Sequence, residues 1–297
     1  MLVCPVRDCR QPLLREETRE RKRLVCPRGH SFDIARSGYI NLLQPQERRS
    51  KQPGDTPAAV EARQRLHDRG VSAPLLDAIV EMIAASPDDI VLDAGCGDGF
   101  YLGNLARRTA IGGTCLDAHG VDISVPAIRA AARRFPPEEG KIDATAGRFD
   151  APKGRFHATG GRFEWIVANA DRFIPYKDDS FSLILSITAR MNAAEFQRVL
   201  RKDGKLLVAV ASPLDLMELR GGNSSDPDAG RDRVPRTLAT FAPGFQLADQ
   251  RRVTTTADLD AEAVRDVLVS IYRPLRSQPI EAMRLTFSLD LLLFRPA

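Results

Sequence analysis

Four potential metal ligands lie within the first 30 residues. Four residues separate Cys4 from Cys9, three separate Cys26 from His30, and sixteen lie between the two pairs. Two close pairs of thiol and imidazole ligands are typical of tetrahedral zinc, and a site with four protein ligands is structural rather than catalytic. The alternative is three unrelated thiols and a surface histidine. We favour zinc because residues 1–43 contain too few apolar side chains to fold without a metal or a docking partner.

A second candidate site is the run DAGCGDG at residues 93–99, which follows a short apolar segment. Gly95 and Gly97 have no Cβ, so a ligand can approach the backbone closely. The dinucleotide spacing G-x-G-x-x-G is not met because position 100 is Phe. Asp93 makes a phosphate an improbable neighbour and favours a cationic ligand, such as one with an ammonium and a sulfonium group. The alternative is a tight turn that binds nothing.

Polar residues also follow the next three predicted strands. Asp122 ends the second strand, where a carboxylate can accept hydrogen bonds from two ribose hydroxyls. Asn169 and Asp171 follow the third strand and are candidates for an adenine edge. Arg190 and Asn192 follow the fourth strand and face the expected substrate pocket. A local ion pair of Arg190 is an equally good interpretation.

Strands that alternate with helices must position these residues. Apolar runs predict strands at 90–92, 120–122, 164–168, 181–187 and 205–211, and helical periodicity predicts helices within 58–85 and at 192–202. The alternation predicts an α/β fold, a parallel sheet with helices on both faces. We divide the chain into a zinc-binding module (1–43), a polar linker (44–57) and a larger domain (58–297).

Residues 140–163 look like an insertion in the larger domain. Gly-Arg-Phe recurs there with a period of seven residues, at 147, 154 and 161. We interpret this segment as a flexible loop or hairpin. The alternative is that its arginines and phenylalanines contact nucleic acid, since such residues stack on bases and bind phosphates.

Charge and cysteine content restrict the class of protein. The 297 residues carry a net charge of only +4, but arginines are concentrated in the first 70 residues. This concentration indicates either a solvated face or a phosphate-binding surface. Neither a signal sequence nor an apolar stretch of about 20 residues is present, so we expect a cytoplasmic protein without a membrane partner. Five cysteines, an odd number, fit a reducing compartment.

Residues 32–43, FDIARSGYINLL, resemble the F-D-x-A-x-x-G-Y-[VI]-N-L-L signature of the 23S rRNA guanine-N1-methyltransferases. The segments Gly54-Asp55-Thr56 and Ala62-Arg63 resemble the family's next signature. The resemblance as a whole covers nearly the entire chain. It implies a class I methyltransferase with a Rossmann-like parallel sheet and a small N-terminal zinc-binding module. It also implies two cofactors, Zn²⁺ and S-adenosylmethionine, with Gly97 and Asp98 against the latter.

The expected reaction is methyl transfer to guanine N1 in a 23S rRNA hairpin that the zinc module contacts. Because guanine N1 must lose a proton, a base or a hydrogen-bonded water is expected in the pocket. Two rival functions remain open: a small-molecule methyltransferase with an accessory zinc module, and a non-catalytic RNA-binding protein. The oligomeric state is also open, a homodimer included.

The chain departs from the family pattern at two expected cofactor contacts. Ser72 stands where the family usually has Tyr, and Asp215 stands where it often has His before L-x-E-L. Residues 188–192, TARMN, also lack the proline usual after the fourth strand. We keep Ser72 and Asp215 as candidate cofactor-binding residues and expect the departures to affect the target nucleotide more than the chemistry.

Overall fold

The computed structural model describes residues 1–18, 21–47, 53–110, 116–137, 162–220, 230–271 and 280–297. Its strands are β1 Leu14–Glu17, β2 Lys22–Val25, β3 Ser31–Asp33, β4 Ile40–Asn41, β5 Ile90–Ala94, β6 Asp117–Asp122, β7 Phe163–Val167, β8 Phe181–Ile187, β9 Leu200–Ala211, β10 Phe245–Leu259 and β11 Met283–Pro296. Its α-helices are α1 Pro57–Asp68, α2 Ala73–Ile83, α3 Phe100–Thr109, α4 Val125–Arg134, α5 Ala193–Val199, α6 Val234–Phe241 and α7 Ala261–Ser270. Short 3₁₀ turns occupy Pro45–Glu47 and Met217–Leu219. Among the described helices, none is long and apolar enough to cross a membrane.

Eight strands form one large sheet in the order β10-β11-β9-β8-β5-β6-β7-β4. All neighbours from β9 to β4 are parallel, whereas β11 is antiparallel to both β9 and β10. The chain runs from β5 to one edge through β6 and β7, and then returns to build β8 and β9 on the other side of β5. Ligands of such sheets bind where the winding reverses, at the carboxyl ends of the strands. This geometry selects the ends of β5, β6 and β8 as the site.

Apolar side chains cover both faces of the sheet, as the alternating pattern predicts. On one face, buried residues of α2, α3 and α4 form a core with Trp165 and Leu185. On the other face, α5 and α6 share the layer with the zinc module, whose Leu2, Leu13 and Leu24 belong to the same core as Tyr176. The N-terminal module therefore covers this part of the sheet, where a helix would otherwise pack. A third, smaller core joins α1 to α7.

The predicted elements agree with the structure in type but not always in extent. The strand predicted at 181–187 has the same bounds as β8. The helix predicted at 192–202 is wrong over its last three residues, because the chain is extended from Leu200, where β9 begins. The expected Rossmann-like parallel sheet with helices is confirmed, and β11 adds an antiparallel strand next to one edge.

Two predicted domain limits fall near elements of the sheet. β4 lies within the predicted zinc module, yet it pairs in parallel with Ile166 and Val167 of β7. The predicted insertion at 140–163 lies outside the described residues except for Arg162 and Phe163, and Phe163 begins β7. The linker predicted at 44–57 is described only in part, and Pro57 already starts α1.

A buried polar cluster lies where the first residues of the chain meet the sheet. His119 Nδ1 is 3.1 Å from Glu164 Oε2, to which the Tyr176 hydroxyl also donates a hydrogen bond of 2.9 Å. His119 Nε2 is 3.6 Å from Asp117 Oδ2. Burial alone would lower the pKa of His119, but the two carboxylates outweigh it and raise that pKa. Burial would likewise raise the pKa of Glu164, yet hydrogen bonding and charge attraction from His119 lower it.

We expect the stabilising effect of His119 to depend on pH. Because its folded-state pKa is raised, its contribution is complete below the unfolded value of about 6.5 and is lost as pH rises through the folded value. His119→Gln should therefore lower the melting temperature by several degrees more at pH 6 than at pH 9. Thermal unfolding in excess zinc measures this difference. Tyr176→Phe, which changes no group that titrates in this range, should cost nearly the same at both pH values. A pH-independent loss for His119→Gln would contradict the assignment.

Candidate cofactor site and metal centre

The turn between β5 and α3 presents bare backbone at the carboxyl end of β5. Gly95 and Gly97 have φ values of +87° and +55°, which side-chain-bearing residues rarely adopt. A Cβ on Gly95 would also lie 2.4 Å from the Cβ of Ala189, which follows β8. Both backbone conformation and close packing therefore require glycine at position 95. The turn is held to the neighbouring strand by the Gly95 N–H, which donates to the carbonyl of Val121 at 2.7 Å.

Asp122 connects the glycine turn to the start of α4. Its Oδ2 accepts a hydrogen bond from the Gly97 N–H at 3.0 Å, and its Oδ1 accepts one from the Ser124 N–H at 2.8 Å. Each carboxylate oxygen has a second lone pair, so two further donors can bind. Burial raises the pKa of Asp122 in spite of these two backbone donors. The carboxylate is thus held in place with acceptor capacity to spare.

Asp93 is a buried acid without a matching partner. Its side chain is 2% exposed, and its Oδ1 has no hydrogen-bond partner within the described part of the chain. Burial, together with the nearby Asp122 and Asp98, raises the pKa of Asp93 to about 8. An unpaired buried polar atom costs free energy, and a cation placed beside it would remove that cost. The turn therefore fits S-adenosylmethionine, which is positively charged and needs close backbone approach.

Asp98, on the same turn, faces two basic side chains and a neutral one. Its Oδ2 is 3.5 Å from Arg134 Nη1, and its Oδ1 is 3.7 Å from His67 Nε2. Burial of His67, with Arg63 and Arg134 near it, lowers its pKa to about 3, so the imidazole is neutral near pH 7. The ring stacks on Phe100 at a centroid distance of 3.9 Å.

Ser72 contacts His67 beside this turn. Its Oγ lies 2.7 Å from His67 Nδ1, on the ring nitrogen opposite to the one near Asp98. The sequence-predicted residue is thus part of the site's support. In the structure, His67 occupies the space between Ser72 and the glycine turn.

The loop before α1 and the helix itself bring a further charged pair over the turn. Arg63 Nη1 donates to Asp55 Oδ2 at 2.6 Å, and a Cβ on Gly97 would be 3.6 Å from the same nitrogen. The Ser124 hydroxyl donates to the Asp55 carbonyl at 2.8 Å, which ties the loop to α4. Sequence reasoning gave no role to Arg63, Asp55 or His67. The only signal was the second family signature, which contains the first two.

The other predicted residues form a second group beside the first. The N–H of Ala168 donates to the Asp122 carbonyl at 3.0 Å, so Asn169 follows directly next to the end of β6. Asn169 Oδ1 accepts from the Asp171 N–H at 3.2 Å. Arg190 is 67% exposed, and its Nη1 is 3.4 Å from Asp171 Oδ2. This local ion pair is the alternative that the sequence left open, and it leaves most of the guanidinium accessible.

The side chains of two further predicted residues, Asn192 and Asp215, accept hydrogen bonds from the backbone. Asn192 caps α5 by accepting from the Glu195 N–H at 3.2 Å, and its amide donates to the Asp171 carbonyl at 2.7 Å. Asp215 Oδ1 accepts from the Ser288 N–H of β11 at 3.0 Å. The residues that follow Asp215, Leu216 and Leu219, pack in the same core as Leu66 of α1.

The four predicted metal ligands converge. The potential ligand atoms of Cys4, Cys9, Cys26 and His30 all lie within 4.8 Å of one another. His30 Nδ1 is 3.4 Å from both Cys4 Sγ and Cys26 Sγ, and Cys9 Sγ is 3.8 Å from Cys26 Sγ. Ligand bonds of about 2.3 Å to sulfur give tetrahedron edges of about 3.8 Å, so the cluster has the size that zinc requires.

Comparison with known proteins agrees with both sites. A zinc-ribbon family described as "RlmA, N-terminal" matches residues 2–51, and the "Methyltransferase domain" family matches residues 92–208. The 23S rRNA (guanine(748)-N(1))-methyltransferase of Streptomyces fradiae is 31% identical over 275 residues, which cover 90% of this chain and 83% of the relative.

Two further relatives have related names. A putative 23S rRNA (guanine-N(1)-)-methyltransferase of Micromonospora griseorubida is 32% identical over 276 residues, covering 86% of this chain and 81% of the relative. Another, of Bacillus subtilis (strain 168), is 31% identical over 226 residues, covering 74% and 67%.

The doubly wound sheet, the glycine turn and the metal cluster define a class I S-adenosylmethionine-dependent methyltransferase with an N-terminal zinc ribbon. Within that class, the chain belongs to the 23S rRNA (guanine-N1)-methyltransferase family.

We expect the ribbon to hold about one zinc ion per chain. Cys9→Ser or His30→Ala should abolish stoichiometric zinc and lower the melting temperature, because Cys4, Cys9 and Cys26 belong to the core shared with the sheet. Elemental analysis of the purified protein, combined with thermal unfolding, measures both effects. Cys96→Ala is the matched control, since that buried thiol lies outside the cluster. Full zinc content in Cys9→Ser would refute this ligand set.

Proposed function

We propose that this chain transfers the methyl group of S-adenosylmethionine to N1 of a guanine in a 23S rRNA hairpin. The observation that carries the proposal is the unpaired, buried Asp93 carboxyl beside bare glycine backbone, in a chain whose relatives are named for this reaction. When bound, S-adenosylmethionine supplies an activated methyl group, so the protein contributes mainly binding and orientation.

Each proposed cofactor contact uses a group that can still accept a hydrogen bond, face a positive charge or admit a ligand to the backbone. Asp93 offers its unpaired oxygen to positive charge, and Gly95 and Gly97 leave room for the ligand against the backbone. Asp122 has lone pairs left for the ribose hydroxyls. Asn169 lies next to Asp122 and is proposed for the adenine edge.

The remaining residues are proposed to support the cofactor contacts. Asp98 is positioned by His67 and Arg134, and Ser72 holds His67. Asp171 orients both Arg190 and Asn192. In this proposal Asn192 acts through the shape of the loop after β8, and Asp215 remains a candidate cofactor contact on the segment that packs against α1.

The target guanine is proposed to enter next to Arg190. This side chain follows β8 and is exposed, and the preceding Ala189 packs against Gly95 of the cofactor turn. A base in a hairpin loop is unstacked or easily flipped, so its Watson–Crick edge can reach a pocket that a paired base cannot. The N1 atom lies on that edge.

The affinity for S-adenosylmethionine should rise with pH. At pH 6 the Asp93 carboxyl, with a pKa of about 8, is mostly protonated, and binding a cation must displace that proton. The dissociation constant of the wild type should therefore fall by up to about tenfold per pH unit between pH 6 and 7.5. Asp93→Asn should bind weakly with no such dependence.

Isothermal titration calorimetry at several pH values measures both expectations. Asp258→Asn, at an exposed position of β10, should keep the wild-type affinity and pH profile. A wild-type affinity that does not change with pH would refute the role of Asp93.

Methylation of 23S rRNA tests the reaction itself. Purified protein, S-adenosylmethionine and a 23S rRNA transcript should give one modified guanine, which appears as a stop in primer extension because N1 methylation blocks base pairing. Asp122→Ala should lose the stop, since the glycine turn and α4 both depend on this carboxylate. Mass spectrometry of the digested RNA should identify 1-methylguanosine. Methyl transfer to small molecules but not to RNA would contradict the proposal.

A further inference from the structure

Exposed arginines connect the zinc ribbon to the pocket. Arg10 directly follows the zinc ligand Cys9, and its guanidinium carbon lies 5.0 Å from the ring centre of Phe173. Phe173 belongs to the loop after β7. Arg10 is exposed and, within the described part of the chain, its side chain makes neither a hydrogen bond nor an ion pair. Its charge is therefore available to a ligand.

The same loop continues the basic surface to the methyl-transfer pocket. Arg172, next to Phe173, is exposed and has no side-chain hydrogen bond or ion pair to any described residue. Asp171 then contacts Arg190, the residue after the one that packs against Gly95. Direct contacts and chain neighbours thus lead from a zinc ligand to the cofactor turn.

Arg198 contacts the same ring but, unlike Arg10 and Arg172, has a structural role. Its guanidinium carbon is also 5.0 Å from the Phe173 centre, but its side chain is only 17% exposed. Its nitrogens donate to Glu195 and to the carbonyls of Ile174 and Tyr176 at 2.6–2.9 Å. The donors of Arg198 fix the loop, whereas those of Arg10 and Arg172 have no partner among the described residues.

The spacing of these charges is set by the fold. The Val3 N–H donates to the Pro175 carbonyl at 3.0 Å, and the Lys177 N–H donates to the Met1 carbonyl at 3.1 Å. The first residues of the ribbon are therefore attached to the loop that carries Arg172. Because the ribbon and the loop share backbone hydrogen bonds, Arg10 and Arg172 are held in a fixed relation before a ligand binds.

We propose that Arg10, Arg172 and Arg190 form an arginine strip that binds the phosphates of the RNA strand leading from the zinc ribbon into the pocket. This inference rests on the proposed function. Free guanidinium groups suit phosphates because their planar fork presents paired donors to phosphate oxygens. The described carboxylates near this path are each paired with an arginine: Asp8 with Arg7, Asp171 with Arg190, and Asp178 and Glu195 with Arg198. The strip therefore keeps a positive surplus.

Salt dependence of the reaction provides the test. In the wild type, kcat/KM for a 23S rRNA transcript should fall with rising KCl. Loss of one phosphate contact should reduce the slope of log(kcat/KM) against log[KCl] by about 0.7–0.9. Arg10→Gln and Arg172→Gln should each show this reduction, with KM for RNA raised about three- to tenfold at low salt. Their kcat and their calorimetric affinity for S-adenosylmethionine should be unchanged.

Two control variants test whether the change in slope comes from charge at the strip. One excludes a loss of folding, and the other excludes an effect of the protein's total charge. Arg172→Lys keeps the charge and should keep the wild-type slope, which a loss of folding would not allow. Arg284→Gln removes an arginine that is 67% exposed on β11, the strand next to the opposite edge of the sheet, and should also keep the wild-type slope.

If the wild type methylates 23S rRNA and the double variant Arg10→Gln/Arg172→Gln retains the wild-type slope, the strip is wrong and the function stands. If the wild type does not methylate 23S rRNA, the proposed function fails and the strip fails with it.

Discussion

The site depends on an excess of buried acid at the point where the sheet reverses its winding. Asp93, Asp98 and Asp122 lie on two adjacent strand ends, and each has a pKa raised by burial. Burial and mutual repulsion both disfavour three neighbouring carboxylates unless positive charge compensates them. Arg63 and Arg134 supply part of that charge from α1 and α4. The charge that remains uncompensated is at Asp93, which is why we propose that a cation binds there.

The zinc ribbon contributes to the core and to the sheet of the larger domain. Its apolar residues enter the core on the face of the sheet that α5 and α6 leave partly uncovered, and β4 extends the sheet beyond β7. A metal that holds four residues of the ribbon therefore also supports the loop after β7, on which Asn169, Asp171 and Phe173 lie. This coupling explains how a structural ion can affect a pocket to which it contributes no ligand.

The sequence predicted those parts of the site that are local. Cys4 with Cys9, Cys26 with His30, and Asp93 with Gly95 and Gly97 are close along the chain, so their spacing is visible without a fold. Asp122 was found because parallel strands end at one edge. Arg63 and His67 were missed because they act through the packing of α1 over a turn 30 residues later, which no spacing rule captures. Asn192 was chosen for its position after β8, but helix capping, a local demand, uses its side chain.

The departure at position 72 has a physical consequence that follows from His67. The Ser72 hydroxyl contacts His67, and the neutral imidazole of His67 lies beside Asp98 on the turn. A neutral imidazole brings no positive charge to the turn, whereas Arg63 and Arg134 do so at Asp98. If Asp93 contacts the cofactor as proposed, its protonated form is favoured again once methyl transfer has removed the positive charge at sulfur. In the proposed site, the buried Asp93 therefore favours the positively charged cofactor over its neutral demethylated product.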